Sequence, residues 1–441
     1  MRLRGIALAL VVLALPAASL AAKVPPKSPD IVNDVRIRSH GKPSQPLVCK
    51  PGANEGNRIG EAFAVSPANS NVLYLGVEYH GLYKSTDGGA TWKLSQKGIV
   101  NYPRVDNPKV GCMLELGKIA IDPRDPKHLL LTRVDSPGLP TDYFSENAGV
   151  YESRDAGRTW TKTYKGTMQS YVRFAVAFGD SKTWYSGSYN SPPSHTGGSG
   201  VSPNTVGVVN KTADGGKTWK ELPTGLVPFV GVQQLFVKPG DPKTVVAYTF
   251  ARPLKERVFS EGLGTILTTD GGKTWTKLEN DIPAAHKTPL DVDVAPADFS
   301  HVFYISYGDG TSGAMQLSSA DGGRTFVRSS FGGPGGGISL VLARYDPHDG
   351  VGNRLLGAGY TGDIASSPDN GQTWSRISAL PGGPEGMIAR VSVIRWDPKS
   401  AQTVYAGGVY QGTAPRVPFL FRSRDGGVTW ASVLDPATLR P

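Results

Sequence analysis

Cysteine is nearly absent, with two in 441 residues, Cys49 and Cys112. That is too few for a disulfide-stapled scaffold. The seven histidines include no HExxH pair and no other metal-ligand spacing, so no metal and no other cofactor is expected. No GxSxG nucleophile elbow occurs. The basic residues are scattered, and without a basic run nucleic acid is not an expected partner. Beyond residue 22 no apolar stretch is long enough to cross a bilayer, so no transmembrane segment is expected. Long helices are excluded by what is abundant: 55 Gly and 35 Pro, about a fifth of the chain, punctuate it with turns.

Residues Met1 to Ala22 read as a secretory signal. Arg2 and Arg4 form its basic start, Ile6 to Pro16 its apolar run, and Ser19-Leu20-Ala21 its small-residue cleavage site. Cleavage near Ala21/Ala22 predicts a secreted or periplasmic protein. Losing Arg2 and Arg4 takes the formal charge from +10 to +8, a modest excess that slightly favours anionic partners. Residues 23–57 form a Pro-rich N-terminal segment.

Everything after residue 60 is dominated by an internal repeat. The octet STDGGATW at 85–92 returns as SRDAGRTW (153–160), TADGGKTW (212–219), TTDGGKTW (268–275), SADGGRTF (319–326), SPDNGQTW (367–374) and SRDGGVTW (423–430). Its aspartates, Asp87, Asp155, Asp214, Asp270, Asp321, Asp369 and Asp425, lie 68, 59, 56, 51, 48 and 56 residues apart, the length of a four-stranded unit with variable loops. Apolar runs that stop at proline, such as Leu235-Phe-Val-Lys-Pro239 and Val292-Asp-Val-Ala-Pro296, mark a first strand. A second follows, as in Val245-Val-Ala-Tyr248, and the octet turns a third strand into a fourth. The pattern predicts an all-β fold over residues 58–441: a single seven-bladed β-propeller of four-stranded antiparallel blades. Seven aspartates placed one per blade cannot converge on one site, so they are read as structural turn residues.

The octets match the Asp box, SxDxGxTW, and over essentially all of residues 60 to 435 the chain resembles the bacterial neuraminidase repeat propellers. These include sialidases, family 74 xyloglucanases, sortilin-type receptors and the photosystem II assembly factor. The resemblance implies the propeller fold. In family 74 enzymes a Thr-Asp-x-Gly-Gly-x-Tyr-Arg segment of the first blade carries a catalytic Asp. Val77-Glu-Tyr-His-Gly-Leu-Tyr-Lys84 looks like that segment, with Glu78 in place of Asp.

Two other matches dissolve. Gly-Gly-Lys-Thr at 215–218 and 271–274 lacks the first glycine of a phosphate loop, since Lys211 and Leu267 stand there. Gly357 to Gly362 fits GxGxxG but leads into a strand pattern.

Function is expected on the face opposite the octets, where the loops between second and third strands vary most. The longest are Asp135 to Gly149, Tyr189 to Val206 and Ala251 to Gly264. Six of eight tryptophans sit in octets, so a sugar-stacking platform there must be mainly tyrosine. The expected substrate-binding residues are Tyr79, His80, Tyr189, Arg252, Tyr307, Asp309, Tyr360, Asp363, Tyr410 and Arg416, with Glu78 and Asp135 as the carboxylate pair that glycoside hydrolysis needs. The expectation is an exported protein of glycoside hydrolase or lyase type, acting on a poly- or oligosaccharide that could be anionic. Two alternatives stay open: a non-catalytic glycan-binding propeller, and an assembly or scaffold protein resembling the photosystem factor, with a protein partner. Cys49 and Cys112, both placed on the loop face of an exported protein, are expected to form a disulfide.

Overall fold

The structure is a computed structural model that describes most residues between 59 and 439. Residues 1–58, 79, 100–114, 135–148, 165–174, 191–205, 224–231, 250–252, 256–257, 260–263, 279–280, 284–285, 287–288, 307–313, 332–337, 384–385, 413–416 and 440–441 lie outside the described residues. The expected signal segment, the Pro-rich segment and both cysteines fall there.

Seven antiparallel sheets follow one another along the chain, each meandering from first to fourth strand. Blade one is Ile59–Val65, Leu73–Val77, Gly81–Ser85 and Lys93–Leu94; blade seven is Ile388–Asp397, Ser400–Gln411, Val417–Ser423 and Ala431–Ser432. The protein is a seven-bladed β-propeller, as the repeat predicts. Two departures occur. Blade six gains a fifth strand, Ser330–Phe331, pairing in parallel with Thr373 and Trp374. The blade-four insertion contains a small hairpin of Pro253–Lys255 with Val258–Phe259.

The second strands are buried on both sides, which is why they read as unbroken apolar runs. In Leu73–Val77, Leu73, Leu75 and Val77 face Val393, Tyr405 and Leu420 of blade seven. Tyr74 faces Leu129 and Leu131 of blade two. The core is thus seven wedges, one between each pair of neighbouring blades. Each fully buried Leu, Val or Phe in them is worth about 1.5–3 kcal/mol.

The octets form one turn, built seven times. In the first, Ser85 Oγ donates to Asp87 Oδ1 at 2.7 Å, Gly89 N donates to Ser85 Oγ at 2.9 Å, and Thr91 donates its N–H to Oδ1 and its hydroxyl to Oδ2. Hydrogen bonds, chiefly from Thr91, Thr218 and Thr429, hold Asp87, Asp214 and Asp425 at about 2. The fourth octet residue donates its N–H to the preceding inter-strand turn in every blade, as Gly88 N does to Asn71 O at 2.9 Å and Gly426 N to Gln402 O at 2.8 Å. All seven octets therefore share a face with the turns that join first to second strands. Two successive left-handed residues are required. Glycine supplies both in five octets, but Ala156 (φ 60°) and Asn370 (φ 58°) take the first position in blades two and six.

Candidate functional site

Successive first strands lie side by side around the centre of the ring, so their side chains line its channel. Among the described residues six of the seven first strands carry a register shift against their second strand. Such a bulge re-aims the side chains around it. The lining is charged. Lys118 Nζ of blade two lies 3.5 Å from Gln234 Oε1 of blade four. Asp291 of blade five pairs with Arg344 of blade six at 2.5 Å and accepts the Ala343 N–H at 3.0 Å. Asp293, two residues on, accepts the Tyr345 N–H at 2.8 Å. These carboxylates occupy donors that the inner edge of blade six would otherwise leave open. Burial pushes Asp293 up, and the Arg344 charge opposes it.

At the loop-face end of the channel, the tight turn Tyr360–Gly362 joins the second and third strands of blade six. Tyr360 is 54% exposed yet held in place. Arg390 of the blade-seven first strand donates to its hydroxyl at 2.5 Å and lies over its ring at 4.6 Å from the centroid. The same guanidinium donates to Gln411 Oε1 at the end of the blade-seven second strand. Ile388, 49% exposed, is a near neighbour along that first strand. One face of the tyrosine thus carries a cation and the ring remains open to solvent, a preorganised platform for a flat, hydroxylated ligand.

The sequence-predicted residues distribute as follows. Asp363 stands three residues after Tyr360, but its carboxylate is committed, accepting from Thr361 at 2.6 Å and pairing with Arg376 at 2.7 Å. Tyr410 is buried: it packs against Phe419 with centroids 4.7 Å apart and donates to Pro381 O at 3.1 Å, so it presents no open face. Glu78 and His80 occupy the blade-one turn between Leu73–Val77 and Gly81–Ser85, and burial pushes the imidazole of His80 down. Gly81 closes that turn at φ 139°, where a Cβ would come within 2.2 Å of Gln96 Oε1. Of Tyr189, only its place in the strand Trp184–Asn190 is described. Tyr79, Asp135, Arg252, Tyr307, Asp309 and Arg416 lie outside the described residues.

Sequence reading missed Arg390 as the partner of Tyr360, and missed the charged channel. Its available signal was charge at alternate positions of otherwise apolar first strands, as in Leu290-Asp-Val-Asp-Val294 and Ile388-Ala-Arg-Val391.

No protein-family model matches the chain. Among curated proteins it is 26% identical over 253 residues to a xyloglucanase of Hypocrea jecorina, a match covering 53% of this chain and 27% of that protein. The chain thus spans about a quarter of the length of the curated relatives it matches. Among solved structures an ancestral GH74 enzyme superposes with a TM-score of 0.55 at 14% identity, over 87% of this chain and 55% of that one. YCF48 from Cyanidioschyzon merolae gives 0.50 at 14% identity, over 86% and 99% respectively. The shared property is the fold. At these identities the propeller transfers and an activity does not.

Proposed function

We propose that the chain is an exported carbohydrate-active propeller of glycoside hydrolase type that holds a polysaccharide across its loop face. The observation that carries this reading is the exposed Tyr360 ring, fixed by Arg390 at the channel mouth. The partial similarity to xyloglucanases supports it. In this reading Tyr360 carries a sugar ring, while Glu78 and Asp135, in the corresponding loops of adjacent blades, act as the paired carboxylates. Their separation decides the stereochemistry, about 5–5.5 Å for retention and about 6.5–9.5 Å for inversion. Cleavage near Ala21/Ala22 and a Cys49–Cys112 bridge belong to the same proposal, which places the protein outside the cytoplasm.

The test is to incubate purified protein with neutral and acidic polysaccharides and to measure reducing ends and unsaturated products. Glu78→Gln is expected to fold normally and lose hydrolysis. Full activity in that variant would remove Glu78 from the site.

One observation favours a second reading. The chain matches nearly the whole length of the YCF48 structure but little more than half of the GH74 structure. A match that spans one whole propeller suits a non-catalytic assembly or glycan-binding role. Binding without any product from the polysaccharide panel would select it.

A further inference from the structure

The octet face carries a second feature, independent of the loop-face reading. Two clefts open at its rim, at equivalent places in the repeat. One lies between blades one and two and is lined by Lys84, Thr86, Thr91, Lys93 and Arg158. The other lies between blades four and five, lined by Thr269, Thr274, Thr276, Lys277 and Arg324. Thr86, Thr91 and Lys93 correspond in the repeat to Thr269, Thr274 and Thr276, and Arg158 corresponds to Arg324. The same construction makes both: the fourth strand of one blade forms a wall, and the sixth octet residue of the next blade overhangs it.

That sixth residue is basic in four consecutive blades, as Arg158, Lys217, Lys273 and Arg324, and uncharged in the other three, as Ala90, Gln372 and Val428. All four cations are exposed, and among the described residues none is within ion-pair distance of a carboxylate. Arg158 and Arg324 donate instead to the main-chain carbonyls of their own octets, at Asp155 O (3.4 Å) and Asp321 O (2.7 Å). Meanwhile the octet carboxylates are turned inward onto Ser and Thr donors. In the first cleft burial, and then the charge of Arg158, push the partly buried Lys84 down against an opposing pull from Asp155. Lys211 repeats this position between blades three and four: burial pushes it down, Asp180 opposes, and Lys273 adds like charge. The result is an arc of exposed cations at the sixth octet position of blades two to five, without a direct ion pair among the described residues.

We propose that this arc and its clefts bind a linear acidic polysaccharide, with uronate-type carboxylates on the octet cations and sugar hydroxyls on the cleft threonines. The cations come one per blade along the arc, so a flexible chain with a carboxylate on each sugar can place one on each of them, and the threonines of the two clefts offer partners for its hydroxyls. Among its described residues the arc also offers no exposed aromatic ring for insertion into a lipid surface.

The test uses the full chain and polygalacturonate, with affinity electrophoresis and calorimetry at about 50 mM and about 500 mM salt, where screening separates charge-driven binding from the rest. The wild type is expected to bind at the lower salt and to lose affinity at the higher. Arg158→Ala/Lys217→Ala/Lys273→Ala/Arg324→Ala is expected to lose about tenfold or more, since several simultaneous charge contacts disappear. The control Lys399→Ala/Arg424→Ala on blade seven of the same face is expected to change affinity less than about twofold. Near-identical melting temperatures would show that all variants fold. No wild-type binding at low salt would overturn the proposal, as would equal losses in both variants. Stronger binding to duplex DNA or to anionic vesicles than to polygalacturonate would overturn it too. Because the arc lies on the face opposite Tyr360 and Glu78, the fourfold variant also separates this proposal from the loop-face reading. Loss of polygalacturonate binding with unchanged action on any loop-face substrate is the expected pattern.

Discussion

The Arg422 guanidinium of blade seven donates to the carbonyl oxygen of Gly88 in the first octet at 3.1 Å. The same contact joins blades elsewhere in the ring. Lys84 Nζ donates to Ala156 O at 2.8 Å, Arg154 to Gly215 O at 3.5 Å and Lys211 Nζ to Gly271 O at 2.9 Å. Among the described residues the closing seam is therefore built like the internal ones, with blades one and seven each made of four consecutive strands. Trp92 Nε1, which donates to Val433 O at 3.2 Å, and the Phe63–Tyr405 ring contact at 5.4 Å reinforce it. Arg422→Met is expected to destabilise the protein by about 1.5–3 kcal/mol, the range for one hydrogen bond to a charged group. Lys211→Met should cost a similar amount. Urea midpoints of the two variants check this, and a silent Arg422→Met would mean that the apolar wedge alone closes the ring.

The second octet holds a strained position. Ala156 sits at φ 60° where five other octets have glycine, and its carbonyl accepts from both Tyr74 and Lys84. Ala156→Gly keeps both acceptor bonds and removes the left-handed strain, at the cost of a looser unfolded chain. The expected net gain is about 0.5–1 kcal/mol. Gly157→Ala is the opposite case, because φ is 82° and a Cβ would meet Ser95 Oγ at 2.7 Å. It should destabilise, and thermal melts of the pair read both signs.

The octet aspartates predict an acid limit. Asp87, Asp214 and Asp425 stand at about 2 against an ordinary 3.8, held down chiefly by their threonine hydrogen bonds. A carboxyl depressed in the folded state stabilises it above the unfolded value and loses that contribution as pH falls through the folded one. Stability is thus expected to hold down to about pH 4 and to decline between about pH 4 and about pH 2. Asp214→Asn should flatten part of that decline, since its side chain no longer titrates. Circular dichroism along an acid series tests this, and an unfolding midpoint above pH 5 in the wild type would contradict it.

The fold was legible because the octet is a local device. Its Ser, Asp and Thr bond to one another within the turn, and its glycines answer a backbone need, so residue types at fixed spacing reveal it without tertiary information. The second strands were legible for a related reason: burial on both faces leaves no polar alternation. The site was legible only in outline. Tyr360 was found because it stands at the loop-face end of a strand, yet Tyr410, one blade on, turns inward onto Phe419 and Pro381. Their registers differ by one: Tyr360 stands five residues after Leu355, the partner of Ser367, and Tyr410 six residues after Val404, the partner of Ser423. Arg390 comes from blade seven to hold Tyr360 outward, and no local pattern announces that contact. The fifth strand of blade six escaped sequence reading similarly, because Ser330 and Phe331 pair with a strand more than forty residues away.

Arg390 both stacks on the Tyr360 ring and donates to its hydroxyl. If the Tyr360 ring is the sugar platform, its worth has two parts, the apolar face itself and the fixed orientation that Arg390 provides. Tyr360→Ala removes both and is expected to weaken polysaccharide binding about five- to tenfold, as loss of one aromatic contact of about 1–1.5 kcal/mol would. Tyr360→Phe keeps the face but removes the hydroxyl to which Arg390 donates, so a smaller loss is expected. Arg390→Gln should fall between them, since the ring then loses its stacked cation and moves more freely before it binds. None of the three should shift the melting temperature by more than a few degrees, because Tyr360 is exposed and Arg390 lies at the rim. Isothermal titration with a xyloglucan oligosaccharide and with a uronate oligomer checks the order. Wild-type affinity in Tyr360→Ala, alongside measurable binding by the parent protein, would move the ligand elsewhere on the loop face.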